Sequence, residues 1–135
     1  MKLIFITIFI LCITQFISCS DKETNDALTT EDPSLKTKIE LAKCLTQKGW
    51  IMYGSYICSA CLAQKKLFGE AFEHIKEIEC NPHAPNTEVE QCIEKKIRKT
   101  PTWILEKEDQ EIIRIPEYQL LEDLAMHSDC EYQNQ

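Results

Sequence analysis

The chain has 135 residues, eight of them cysteine and three glycine, and its 15 Lys+Arg against 22 Asp+Glu give a formal net charge of −7. The length suits one domain, and the acidic balance is a poor match for a phosphate backbone, so no nucleic acid is expected as a partner. Scarce glycine and short, proline-interrupted helical stretches exclude collagen-like, repeat and long coiled-coil proteins, which leaves the thiols as the feature to explain.

In chain order, Met1-Lys2 is followed by the apolar run LIFITIFILCI, residues 3–13, which degrades through Thr14 and Gln15 into FISCSDKETND. Eleven residues at about 1.5 Å rise reach only about 16 Å, short of the roughly 30 Å hydrocarbon core. Residues 1–18 therefore read as a signal peptide with a single-Lys n-region. Phe16-Ile17-Ser18-Cys19 resembles the lipobox of bacterial lipoproteins, with small Ser18 at the cut and Phe16 where leucine is usual. Cys19 would then be diacylated and hold the mature protein at a membrane, facing the periplasm or extracytoplasmic space. An ordinary signal peptide cut near Ser18 or Ser20 is the alternative. Residues 19–32 form a polar tether with only Ala27 and Leu28 as aliphatic residues, too little to order it. The folded unit is expected over 33–130, with 131–135 as a tail. Six thiols remain in that unit: Cys44, Cys58, Cys61, Cys80, Cys92 and Cys130, an even number that suits an oxidising compartment.

Asp32-Pro33 is an N-cap followed by proline at the first helical position, and predicts a helix to Lys48 ending at Gly49, with Leu35, Ile39, Ala42 and Leu45 on one face. GWIMYGSY, residues 49–56, reads as a buried strand with a turn at Gly54-Ser55. A helix follows from about Cys58 through Ile75, with Leu62, Phe68 and Phe72 inward and Gly69 a local weakness. Ile75 to Cys80 reads as a strand, and NPHAPN as a proline-held loop. Thr87 and Glu90 have capping-box spacing and open a helix with Val89, Ile93 and Ile97 on one face. TWIL and EIIRI form a hairpin across a turn of about five residues, EKEDQ. Pro116 opens a last helix with Leu120, Leu121 and Leu124 inward. The order α, β, α, β, α, β, β, α describes an α/β sandwich on a mixed sheet, with a parallel βαβ part and a C-terminal antiparallel hairpin.

Cys58-Ser59-Ala60-Cys61 is a CxxC, common by chance in so cysteine-rich a chain, so its position carries the argument. The first cysteine falls just after a strand and the second in the first turn of a helix. Unpaired N–H groups and the helix dipole at that terminus favour thiolate, so Cys58 is the expected attacking sulfur. Cys61, one turn inward, is the expected resolving sulfur that closes on Cys58 and releases a partner.

YGSYICSACLAQKKLFG, the later TPTWIL and the βαβ…ββα order resemble a thioredoxin-fold domain. More narrowly, LAKCLTQKGWIMYGSYICSACLAQKKLFGEAF, IECNP, QCIEKKIRKTPTWIL and YQLLEDLA resemble the thioredoxin-like domain attached to bacterial and plant homologues of vitamin K epoxide reductase, over about Ile39 to Met126. The resemblance implies that Cys58 and Cys61 are the redox pair. It makes Pro101, preceded by Thr100, the cis proline lying against them, where the backbone of Thr100 meets an extended substrate. Cys80 and Cys92 match a second cysteine pair of these domains. The implied partners are exported protein thiols and a membrane-embedded, quinone-linked oxidase. No cofactor is implied, because sulfur carries the chemistry. The sequence departs from the family at Ile57, where an aromatic is common, and at Ser59-Ala60, where a proline-histidine pair is common. Met52 stands where thioredoxin has a buried acid, leaving the proton route of Cys61 open.

Other readings exist for the same residues. Cys58 and Cys61 could be a structural bridge, or join Cys80, Cys92 and His83 at zinc, although the paired short knuckles of a closed zinc site are missing. A Cys80–Cys92 bridge would close a loop of about a dozen residues and contribute roughly 3 kcal/mol. Cys44 and Cys130 are candidates for a third bridge, from the first helix to the C-terminus. His74 and His127 read as surface or cap residues, and Trp50, Trp103 and Tyr53 as core aromatics. The functional alternatives are a lipoprotein that uses the fold only to bind another protein, and a reductase or isomerase that runs the same pair in another direction.

Overall fold

The computed structural model describes residues 32–133. The expected signal peptide, Cys19, the tether up to residue 31 and the last two residues of the tail lie outside the described residues. Helix α1, Pro33–Lys48, starts where Asp32 accepts a 2.9 Å hydrogen bond from the Ser34 N–H and another from the Ser34 hydroxyl at 3.0 Å. These bonds hold the Asp32 carboxyl below its usual range. The helix ends at Gly49, whose φ of 95° is left-handed and whose N–H returns to the carbonyls of Leu45 and Thr46. A side chain there would also run into the Glu106 carbonyl oxygen.

Strand β1, Trp50–Gly54, is buried along its whole length. It pairs in parallel with β2, Glu77–Glu79, and antiparallel with β3, Thr102–Lys107, which in turn pairs antiparallel with β4, Gln110–Pro116. The four-stranded sheet has the order β2-β1-β3-β4. Between β1 and β2 lie α2, Ser59–Phe68, and a 3₁₀ helix, Gly69–His74; between β2 and β3 lies α3, Val89–Glu94; and α4, Leu121–Ser128, closes the chain.

The period-2 alternation of β1 divides the core. Trp50 and Met52 join Trp103 and Leu105 beneath α1, Phe68, Ala71 and the α4 residues Leu121 and Leu124. Ile51 and Tyr53 join Ile78, Ile104 and Cys92 on the other face. Trp50, Trp103 and Tyr53 are accordingly core aromatics. Because both faces of β1 are covered, its C-terminal end is held rigidly where the dithiol begins.

Several local expectations are corrected. The helix expected from Cys58 to Ile75 breaks at Gly69, where the chain tightens into 3₁₀ turns. Leu62 is half exposed because the buried stripe of α2 runs through Cys61, Gln64 and Phe68 instead. Thr87 makes no capping box with Glu90: its hydroxyl accepts from the Val89 N–H at 3.3 Å, and Glu88 is the N-cap residue, without a side-chain cap. Ile93 points outward at 70% exposure, since this helix of six residues offers only a narrow inner face, filled by Cys92. The β3–β4 turn is two residues, Glu108 and Asp109, both at positive φ, the geometry that matches a tight hairpin to strand twist. Pro116 ends β4 rather than opening α4, and Leu120, outside the helix, is half exposed.

Candidate functional site

The site grows from the turn between β1 and α2. Ser55 accepts the Cys58 N–H at 3.1 Å, and Cys58 becomes the N-cap of α2, with its Sγ accepting the Cys61 N–H at 3.4 Å. A sulfur at that position receives an otherwise unpaired helix donor. On its other side the Cys58 thiol donates to the Thr100 carbonyl oxygen at 3.3 Å. Thr100-Pro101 is a cis peptide, with Pro101 fully buried beside it. Chain segments 42 residues apart thus meet at one sulfur.

Cys58 and Cys61 are free thiols in unlike settings: Cys58 is half-buried, Cys61 wholly buried. Burial pushes the Cys58 thiol up, but hydrogen bonds from the Thr100 side chain, from Cys61 and from the Cys61 and Ala60 backbone outweigh it and leave Cys58 below its ordinary value. Cys61 is pushed up to about 11, first by burial and then by its hydrogen bond to Cys58, against the Ser55 N–H that donates to its sulfur at 3.4 Å. A sulfur held low and met by N–H groups is chemically suited to attack and departure, and one buried and held high to staying protonated. Tyr56, Ile57 and Leu62 leave apolar surface around Cys58.

Two side chains unremarked in the sequence hold this end of the sheet. Glu79 is buried, and its carboxylate accepts the Tyr56 N–H at 2.8 Å and the Asn81 N–H at 2.7 Å, tying the turn before Cys58 to the loop after β2. Gln64 is fully buried and exchanges hydrogen bonds of 3.0 and 2.8 Å with the backbone of Gln119, docking the segment before α4. The available signal was periodicity: Glu77 and Glu79 alternate on one face of a strand, where an apolar pair would be usual.

Among the described residues the remaining four cysteines form two bridges. Cys80 is bonded to Cys92, and Cys44 to Cys130. A four-thiolate zinc site built on Cys58, Cys61, Cys80 and Cys92 is thereby removed, since two of its ligands are spent on each other. His83 lies in the loop after β2, His74 in the 3₁₀ helix and His127 in the last turn of α4.

A mixed sheet flanked by helices, with a dithiol at the start of the helix after its central parallel strand, defines a thioredoxin-like fold. No protein-family profile matches the chain. Over 71 residues, half of the chain, it is 41% identical to thiol-disulfide oxidoreductase LTO1 of Arabidopsis thaliana, and the match spans 19% of that protein's length.

Proposed function

We propose that the chain is an extracytoplasmic thiol-disulfide oxidoreductase that exchanges a Cys58–Cys61 disulfide with exported proteins. A quinone-linked membrane oxidase of the vitamin K epoxide reductase type restores the disulfide, and acylated Cys19 holds the domain at the membrane. The observation that carries the reading is the asymmetry of the dithiol, with Cys58 accepting a helix N–H and held below the ordinary thiol range while Cys61 is buried and held above it. The likeness to a protein named a thiol-disulfide oxidoreductase supports the same chemistry. In the oxidising direction a client thiolate attacks Cys58, Cys61 leaves and takes up a proton, and a second client thiolate releases Cys58.

The test uses oxidised protein and a reduced, unfolded client with two thiols. Transfer of the disulfide to the client, and capture of the client on Cys58 when Cys61 is replaced by Ala, are expected. A chain that neither transfers nor captures would be a binding module instead. Fatty-acid labelling that disappears in Cys19→Ala supports the anchor, and label that persists refutes it.

A further inference from the structure

Cys61 must gain or lose a proton in every cycle, yet it is wholly buried; the titratable side chain of β1, Tyr53, packs on the opposite face of the sheet and donates to Glu106, and the β1 residue beside Cys61 is Met52, a thioether. The carboxylate absent from β1 stands on the neighbouring strand. Glu77 is the register partner of Met52 across the parallel β1–β2 pair. One of its oxygens, Oε2, is in a 2.7 Å ion pair with Lys65. The other, Oε1, is buried and has no hydrogen-bond partner among the described residues. A buried carboxylate oxygen left unpaired is costly, so the arrangement calls for a reason.

Gly54 locates that oxygen relative to the sulfur. A Cβ placed on Gly54 would lie 2.8 Å from Glu77 Oε1, 3.0 Å from Met52 Cε and 3.6 Å from Cys61 Sγ. The free oxygen and the buried thiol therefore flank the same small space, which glycine leaves without a side chain. Cys61 and Lys65 are four apart on α2 and share a face of the helix, so the helix that carries the resolving thiol also carries the cation that holds Glu77.

From this juxtaposition we propose that Glu77 is the proton acceptor and donor of Cys61, resting on the redox reading above. With a protein disulfide as oxidant, Cys58 thiolate first attacks it, forming a mixed disulfide and releasing one partner thiolate. Cys61 then passes its proton to Glu77 Oε1, directly or through one water. Its sulfur attacks Cys58 Sγ, the Cys58–Cys61 bond forms and the Cys58–partner bond breaks. The partner leaves as a second thiolate, so its disulfide is reduced by two electrons and the Cys58/Cys61 pair is oxidised by two. Glu77 then returns the proton to solvent, and in the opposite direction the same oxygen protonates the departing Cys61. The charged and titratable groups around Glu77 are Lys65 and Cys61 of α2 and Glu79 of β2. Glu79 is engaged by the Tyr56 and Asn81 N–H groups, while β1 contributes only Met52 and Gly54.

The test separates the two steps with reduced protein and glutathione disulfide, quenched in acid to count the Cys58–glutathione adduct and the closed disulfide. Glu77→Gln keeps the shape and should leave adduct formation unchanged while slowing its resolution about tenfold or more at neutral pH. The deficit should close toward pH 11, where Cys61 ionises without help. A structural role would not produce that closing. Gly54→Ala, whose methyl enters the space between oxygen and sulfur, should show the same signature and serves if Glu77→Gln folds poorly. Resolution at the wild-type rate in both variants, or a deficit constant with pH, overturns the assignment while leaving the redox reading intact. Wild-type protein that forms no adduct overturns both.

Discussion

Two pairs of cysteines occupy opposite chemical situations in this molecule. Cys58 and Cys61 are separated by two residues at the start of α2, whereas Cys44 and Cys130 are 86 residues apart and join α1 to the second residue past the end of α4. The first pair is surrounded by backbone donors aimed at sulfur, from Cys61 to Cys58 and from Ser55 to Cys61. The second is packed against the apolar core, beside Lys48, whose ammonium donates to the carbonyl oxygens of Ser128 and Asp129 at the end of α4. The same side chain thus meets N–H groups that stabilise a thiolate at one pair and apolar contacts around a closed bridge at the other. What separates them is the local backbone, more than sequence spacing.

The largest expected effect breaks the reactive pair. Cys58→Ala should abolish disulfide exchange to background, while Cys61→Ala should trap mixed disulfides through Cys58; adduct mapping by mass spectrometry checks both. Double replacement of Cys44 and Cys130 by Ala should leave the chemistry of Cys58 in place.

The next measurement sharpens the contrast within the reactive pair. Both thiols are acids, so the one held low ionises first as pH rises. Alkylation of Cys58 should reach half-maximum below the ordinary thiol value, and that of Cys61 near pH 11. At neutral pH the thiolate fractions should then differ by more than about a hundredfold. In Cys58→Ala the hydrogen bond that helps raise Cys61 is lost and burial remains. The Cys61 titration should therefore move below pH 11 yet stay above the ordinary thiol value.

Stability should separate the staples by loop length. Loss of Cys44–Cys130, with its sequence separation of 86, should cost roughly 4–5 kcal/mol, and loss of Cys80–Cys92, with its separation of 12, about 3 kcal/mol. Denaturant titration of the two double-Ala variants checks the order. A smaller effect, about 1–3 kcal/mol, is expected for Glu79→Ala, which leaves the Tyr56 and Asn81 N–H groups without their carboxylate. Faster hydrogen exchange at Tyr56 should accompany it.

Much of the scaffold could be read from local signals. Asp32-Pro33 and Gly49 bound α1 because capping chemistry is local, and WIMYG is a buried strand because its apolar run has no other use. The errors also have local causes. A two-residue turn at Glu108-Asp109 carries no glycine or asparagine to announce it, and Gly69, a weak point in a helix by propensity, is where the chain changes helix type.

Sequence by itself determined that Cys58 caps a helix and that Cys61 lies one turn in, since both follow from spacing along one element. Tertiary structure alone decided the rest of the site. Thr100 reaches Cys58 from 42 residues away, Glu79 holds the turn at Tyr56 from 23 away, and Glu77 faces the space beside Cys61 only because β2 adds parallel to β1 in one register. Capping and periodicity act over a few residues and leave a trace in the chain. Strand register and the meeting of loops depend on how two cores close on opposite faces of one sheet, which no short segment encodes.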